Sequence, residues 1–246
     1  MAELDRRYEQ TVGRADEAVI DQGLRSYMLR VYNYMASGVA ITGVVAYAVY
    51  AMSVVTGADG SITGLTAFGN LMYASGFKWI VIFAPLAMVF FLSFKIQSLN
   101  VGTAQALFWL FSALMGASIS SIFLVYAGES IARVFFITAA AFGALSLWGY
   151  TTKKDISGWG SFLFMGLIGI ILASIVNLFI GSTALQFAVS VIGVLVFAGL
   201  TAYDTQQIKE MYDVQDDGTV AGKKAVMGAL RLYLDFINLF LMLLQL

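Results

Sequence analysis

Seven stretches of this chain, residues 31–53, 79–97, 103–127, 131–150, 160–180, 185–204 and 224–246, stay apolar for long distances. As helices rising 1.5 Å per residue, each is long enough to cross about 30 Å of hydrocarbon. Inside a bilayer no water is at hand for backbone N–H and C=O groups, and the helix is the form in which one segment satisfies its own backbone. The pattern therefore predicts an all-α polytopic membrane protein with seven transmembrane helices. Composition agrees, since 60% apolar residues, 12% charged residues and one proline in 246 residues lie outside the range of water-soluble domains. The breaks are short and carry turn chemistry: TGADGSITG at 56–64, QSLNVG at 97–102, TTKKDISGWG at 151–160 and DVQDDGTVAGKK at 213–224. No linker separates two folding units, so residues 31–246 read as one domain behind a polar tail at 1–30.

The chain has no cysteine and no histidine. Disulfides, thiol chemistry, His-dependent triads and metal ligation through either residue are excluded, and no cofactor is expected. A net charge of −1 without any basic run interleaved with aromatics gives no case for nucleic-acid binding. No apolar run precedes the tail, so a cleaved signal is not expected. Basic residues fall unevenly. Arg6, Arg7, Arg14, Arg25, Arg30, Lys95, Lys153, Lys154, Lys209, Lys223 and Lys224 lie on the N-terminal side, against Lys78 and Arg133 opposite. This bias predicts a cytoplasmic N-terminus. Seven full crossings put the C-terminus outside, whereas a re-entrant last helix returns it. Trp79, Trp148 and Trp159 near span ends fit interfacial anchors in the lipid bilayer.

Ionisable groups at membrane depth are functional candidates because a carboxylate at the bilayer centre costs about 3 kcal/mol on insertion scales. Glu129 and Arg133 lie four apart at a short outer loop and read as an exposed ion pair, and Lys95 sits where its stem can snorkel. That leaves Asp204, Arg231 and Asp235. Helix six descends toward the cytoplasm and helix seven climbs from it, so the two aspartates reach similar depths. Two carboxylates in contact cannot both ionise cheaply, and a proton shared between them makes a pH sensor without histidine. Arg231 and Asn238 fall on the Asp235 face of helix seven. An alternative is that each aspartate is tied separately to neighbouring helices as packing glue. The small polar run Gly116, Ser118, Ser120 and Ser121 in helix three either lines a path or packs helices.

Four stretches, GLTAYDTQQIKEM (199–211), GALRLYLDFINLFLMLL (228–244), LFWLFSALMGASISSIFLVY (107–126) and LSLWGYTTKKDISGWG (145–160), resemble the Bax inhibitor-1, or transmembrane Bax-inhibitor-motif, family and its bacterial YccA-like branch. The likeness covers nearly all the chain after about residue 22. It implies seven membrane helices with the C-terminal helix central, a bacterial inner-membrane location, and a pH-dependent calcium leak. It also implies a proton-sensing aspartate pair at Asp204 and Asp235, the groups that would meet calcium in transit. Tyr203 and Asn238 are candidates for polar support. In some relatives an arginine near the end of helix two pairs with the first aspartate. Here that stretch reads SFKIQSLN, so Lys95 is its cation. Arg231 stands where the family more often has a small or neutral residue, and a cation there favours the ionised pair.

Three functions compete. The leading expectation is a leak pathway for calcium or another cation gated by Asp204 and Asp235, since two carboxylates are too few for a tight calcium cage and suit transient passage. An intramembrane aspartyl protease is disfavoured, because Leu232, Tyr233 and Leu234 precede Asp235 where such enzymes need glycines for close backbone approach; no enzyme is expected. The third is a regulator that binds other membrane proteins, such as membrane proteases or cell-death factors, through the charged tail.

Overall fold

The computed structural model describes residues 2–58 and 61–246, with side chains from Gln22 onward. Arg6, Arg7 and Arg14 of the expected tail, and Asp59 and Gly60 of the first break, fall outside those described side chains and residues. Seven long helices carry the fold: α1 (Ala2–Ser53), α2 (Phe77–Lys95), α3 (Val101–Ile119), α4 (Gly128–Thr151), α5 (Trp159–Ile180), α6 (Thr183–Glu210) and α7 (Gly218–Leu244). Each contains a window long and apolar enough to span a membrane, and the first such span is Gln22–Ser53. It begins earlier than composition suggested, because Arg25 and Arg30 share a helix with the buried Tyr27, Met28 and Val31. Long basic side chains at a span end keep their charge in water while the stem packs.

Helix ends follow local chemistry. Asn100 caps α3 by accepting from the Thr103 N–H at 2.8 Å, Ser182 caps α6 by accepting from the Leu185 N–H, and Asp217 caps α7 by accepting from Thr219 and Val220. Gly181 ends α5 in the left-handed region at φ 66°, where a Cβ would be strained. Three of the lysines counted for orientation also close helix C-termini. Lys209 donates to Tyr150 O in the last turn of α4, Lys223 to Gln97 O beyond α2, and Lys224 to Met211 O beyond α6. Lys224 also pairs with Asp216 at 2.5 Å, the one ion pair among the described residues. Glu129 and Arg133 are therefore not the pair that their spacing suggested. Both are exposed, and solvated side chains gain little from closing such a contact.

The break at 56–64 is more than a turn. Strand β1 (Val54–Thr56) pairs antiparallel with β2 (Ile62–Leu65), and Gly57 N–H donates to Ser61 O across the tip. A short helical segment at Ala67–Ala74 then returns the chain to α2.

α7 is the central helix: 61% of its spanning window is buried, against 11–28% in the other six. It packs against α1, α3, α4 and α6, while α2 packs on α3 and α5 on α6. α7 is unbroken over 27 residues, a full crossing in length and not a re-entrant hairpin. Its Tyr233 is fully buried, with Phe108 and Phe111 edge-on at 5.9 and 5.1 Å between ring centres. Thr42 of α1 has one hydroxyl proton and two carbonyls within reach, Gly38 O at 3.0 Å and Ser112 O at 2.8 Å. The Tyr233 hydroxyl at 2.6 Å therefore donates to Thr42, joining α1, α3 and α7 at one point. Gly116 belongs to that junction, since a Cβ there would meet Thr42 O at 2.6 Å. Ser120, from the same small-residue run, bonds Tyr73 at 2.9 Å. At Gly116 and Ser120 the run packs helices together.

Candidate functional site

The antiparallel seam between α6 and α7 is held in register by small residues. Gly228 lies against Ile208 near one end, and Gly193 receives Met242 near the other, where a Cβ on Gly193 would meet Met242 Sδ at 2.6 Å. This register brings Asp204 level with Arg231 and sets Asp235 about one helical turn, roughly 5 Å, further along α7. From these positions the two carboxyl groups come close enough to interact side chain to side chain. Two ionised carboxylates have no proton to donate, so a hydrogen bond between them would require one shared proton.

Asp235 is 5% exposed and one of its oxygens, Oδ2, has no hydrogen-bond partner, whereas Asp204 is half-buried. Arg231 is exposed and within electrostatic range of both aspartates. A residue not anticipated from sequence joins it: Tyr27 of α1 is buried, its hydroxyl has no partner, and it lies in the fields of Arg231 and of Asp216 in the loop before α7. The guanidinium thus stands between the aspartate pair and the end of the bundle that carries this loop. A tyrosine near a span end reads as an interfacial anchor in sequence, and only the packing of α1 on α7 reveals its second setting.

The other expected members stand apart. Asn238 donates to Leu234 O of its own helix at 2.8 Å. Tyr203 turns toward the start of α5, where Gly160 leaves room for its hydroxyl. Lys95 is exposed at the end of α2 and is not among the charges acting on either aspartate. A hydroxyl chain, also unforeseen, runs beside the pair. Thr205 donates to Thr201 O at 2.7 Å, so Ser146 donates to Thr205 at 2.8 Å and Tyr32 to Ser146 at 2.7 Å. It ties α1, α4 and α6 next to Asp204.

At the far end of the α6/α7 seam lies a cleft of 600 Å³ whose wall includes Asn177, Gln186, Gln245 and Met242. Between this cleft and the aspartates, Met242 fills the notch at Gly193.

A family model described as "Inhibitor of apoptosis-promoting Bax1" matches residues 24–246, from near the start of the first span to the end of the chain. The chain belongs to the Bax inhibitor-1 family. Among similar proteins is the inner membrane protein YbhL of Escherichia coli (strain K12), 50% identical over 225 residues, covering 91% of each chain. An uncharacterized protein of Rickettsia prowazekii is 47% identical over 92% of this chain and 90% of its own. One of Caulobacter vibrioides is 45% identical over 100% and 97% respectively. The family's expected arrangement, seven spans with the C-terminal helix central, is the one seen. In this Bax inhibitor-1 family protein four helices touch α7 extensively, and α2 and α5 form an outer layer on α3 and α6.

Proposed function

We propose that this protein is a pH-sensitive leak pathway for calcium or a similar cation in the bacterial inner membrane, with its N-terminus cytoplasmic, and that the Asp204/Asp235 pair is the gate. The observation that carries the reading is the meeting of two carboxyl groups inside an apolar seam. A cation and a proton compete for the same oxygens, so protonation closes the pair on itself and ionisation frees it to receive a cation and to repel its partner. Among the described residues no group of three or more acidic, histidine or cysteine side chains comes together. Two carboxylates give hard oxygen ligands without the six to eight that hold calcium tightly, which suits passage over storage. The reading assigns no catalysis to the pair. Met242 in the Gly193 notch supports a closed form, because an apolar side chain fills the seam between the pair and the far cleft. The inner-membrane location rests on likeness to the inner membrane protein YbhL, and the orientation on the distribution of basic residues.

The test is calcium flux into liposomes that contain only the purified protein, measured between pH 5 and 8. A flux that changes across this range supports the reading. Flux absent at every pH favours a regulator of other membrane proteins, for which the charged N-terminal 30 residues are the supporting feature.

A further inference from the structure

α1 and α4 are neighbours on α7 that pack little on each other. Between them lies a cleft of 730 Å³, bounded on α1 from Arg25 to Ala40 and on α4 from Tyr150 to Phe135, with Phe236 of α7 at its back. The Tyr32 to Ser146 hydrogen bond crosses it. Both walls belong to membrane-spanning helices, so the cleft faces the bilayer along its length. From Arg25 to Ala40 it runs roughly 22 Å at 1.5 Å per residue. The cleft is long and its lining is almost wholly apolar, which suits an extended hydrocarbon chain. Its volume lies in the range of small-molecule sites, about 300–1,000 Å³.

The two ends differ in chemistry. Toward Ala40 and Phe135 the walls are apolar. At the other end stands Arg25, exposed and without an ion-pair partner among the described residues. Across from it Lys209 lies 5.3 Å over the Tyr150 ring and donates to Tyr150 O at 2.9 Å. Two cations at the mouth of an apolar slot match a molecule with an anionic head and a hydrocarbon tail, and a guanidinium presents a fork suited to phosphate oxygens. Gly143, in the α4 wall, is exposed, and a Cβ there would meet nothing within 4 Å. The absence of a side chain at this position keeps the slot open.

We propose that the α1/α4 cleft binds one anionic phospholipid from the leaflet on the Arg25 side, with an acyl chain along the α4 wall past Gly143 and the phosphate on Arg25. This goes beyond the proposed leak, and its readout is lipid retention, which does not depend on flux.

The experiment is native mass spectrometry of the full-length protein equilibrated in mixed micelles of phosphatidylglycerol and phosphatidylcholine in equal amounts. Wild type retains one phosphatidylglycerol at least about tenfold in preference to phosphatidylcholine, the ratio that 1.4 kcal/mol of head-group binding gives. Gly143→Phe, which fills the slot, loses the retained lipid. Arg25→Gln, at an exposed position outside the packed core, keeps a lipid but loses the head-group preference. Equal retention of both lipids by wild type, which marks ordinary annular lipid, overturns the proposal. So does an unchanged preference in Arg25→Gln, which holds even if Gly143→Phe fails to fold. A second copy of the chain cross-linked through cysteine at position 143, in place of lipid, also overturns it.

Discussion

Asp204 of α6 and Asp235 of α7 meet side chain to side chain, with Arg231 in the field of both. The contact joins a half-buried carboxyl group to one that is nearly sealed from solvent, so a proton or a cation arriving from the Arg231 side reaches Asp204 first.

Arg231→Leu tests the guanidinium. A nearby cation competes with the proton for the ionised pair, so its removal lets the proton bind at higher pH. The pH midpoint of flux is expected to rise by roughly one unit, with the protein still folded, since leucine suits a membrane helix. An unchanged midpoint in the same lipid makes Arg231 an interfacial anchor with no part in the sensor.

Met242→Ala tests the closed seam. Shortening the side chain that fills the Gly193 notch should raise cation flux severalfold while leaving its pH midpoint in place, because the aspartates are untouched. Flux equal to wild type in liposomes of the same protein content would remove Met242 from the closing role.

Much of this architecture is legible in the sequence because hydrocarbon thickness sets a length that apolar runs must meet, and seven of them do. The features that the sequence leaves hidden have physical causes. The start of the first span is obscured by Arg25 and Arg30, which sit on the same helix as buried Met28 and Val31. The β1/β2 hairpin has a short signal of its own: β-branched Val54, Val55 and Thr56 before the turn, and Ile62 and Thr63 after it. Asp204 and Asp235 stand out as lone carboxylates in apolar surroundings. Thr42, Ser146 and Thr205 do not, because a serine or threonine hydroxyl in a membrane helix satisfies itself on its own backbone as readily as on a neighbour. Which of the two it does depends on tertiary packing. Spacing puts Asn238, and resemblance puts Lys95, beside the pair, and the structure gives both other surroundings.

The Thr42 to Tyr233 junction predicts an asymmetry. Tyr233→Phe removes one interhelical hydrogen bond, worth about 0.6 kcal/mol in membrane proteins, and leaves Thr42 bonded to its carbonyls. Thr42→Val leaves the buried Tyr233 hydroxyl unsatisfied and should cost more, about 1–3 kcal/mol. Thermal denaturation of both variants in one detergent checks the order. Equal losses would contradict the assigned donor.

Orientation is testable because the chain has no cysteine. Gln215→Cys, in the exposed loop between α6 and α7, should react with a membrane-impermeant thiol reagent from the cytoplasmic face alone. Ala58→Cys in the hairpin should react from the opposite face alone. Labelling of Gln215→Cys from outside intact cells would invert the orientation.

The most direct measurement is calcium flux against pH in liposomes carrying wild type, Asp204→Asn or Asp235→Asn at equal protein content. A shared proton requires both carboxyl groups, so each single variant should lose the pH dependence that wild type shows between pH 5 and 8. A wild-type pH profile retained by either variant would contradict the gate.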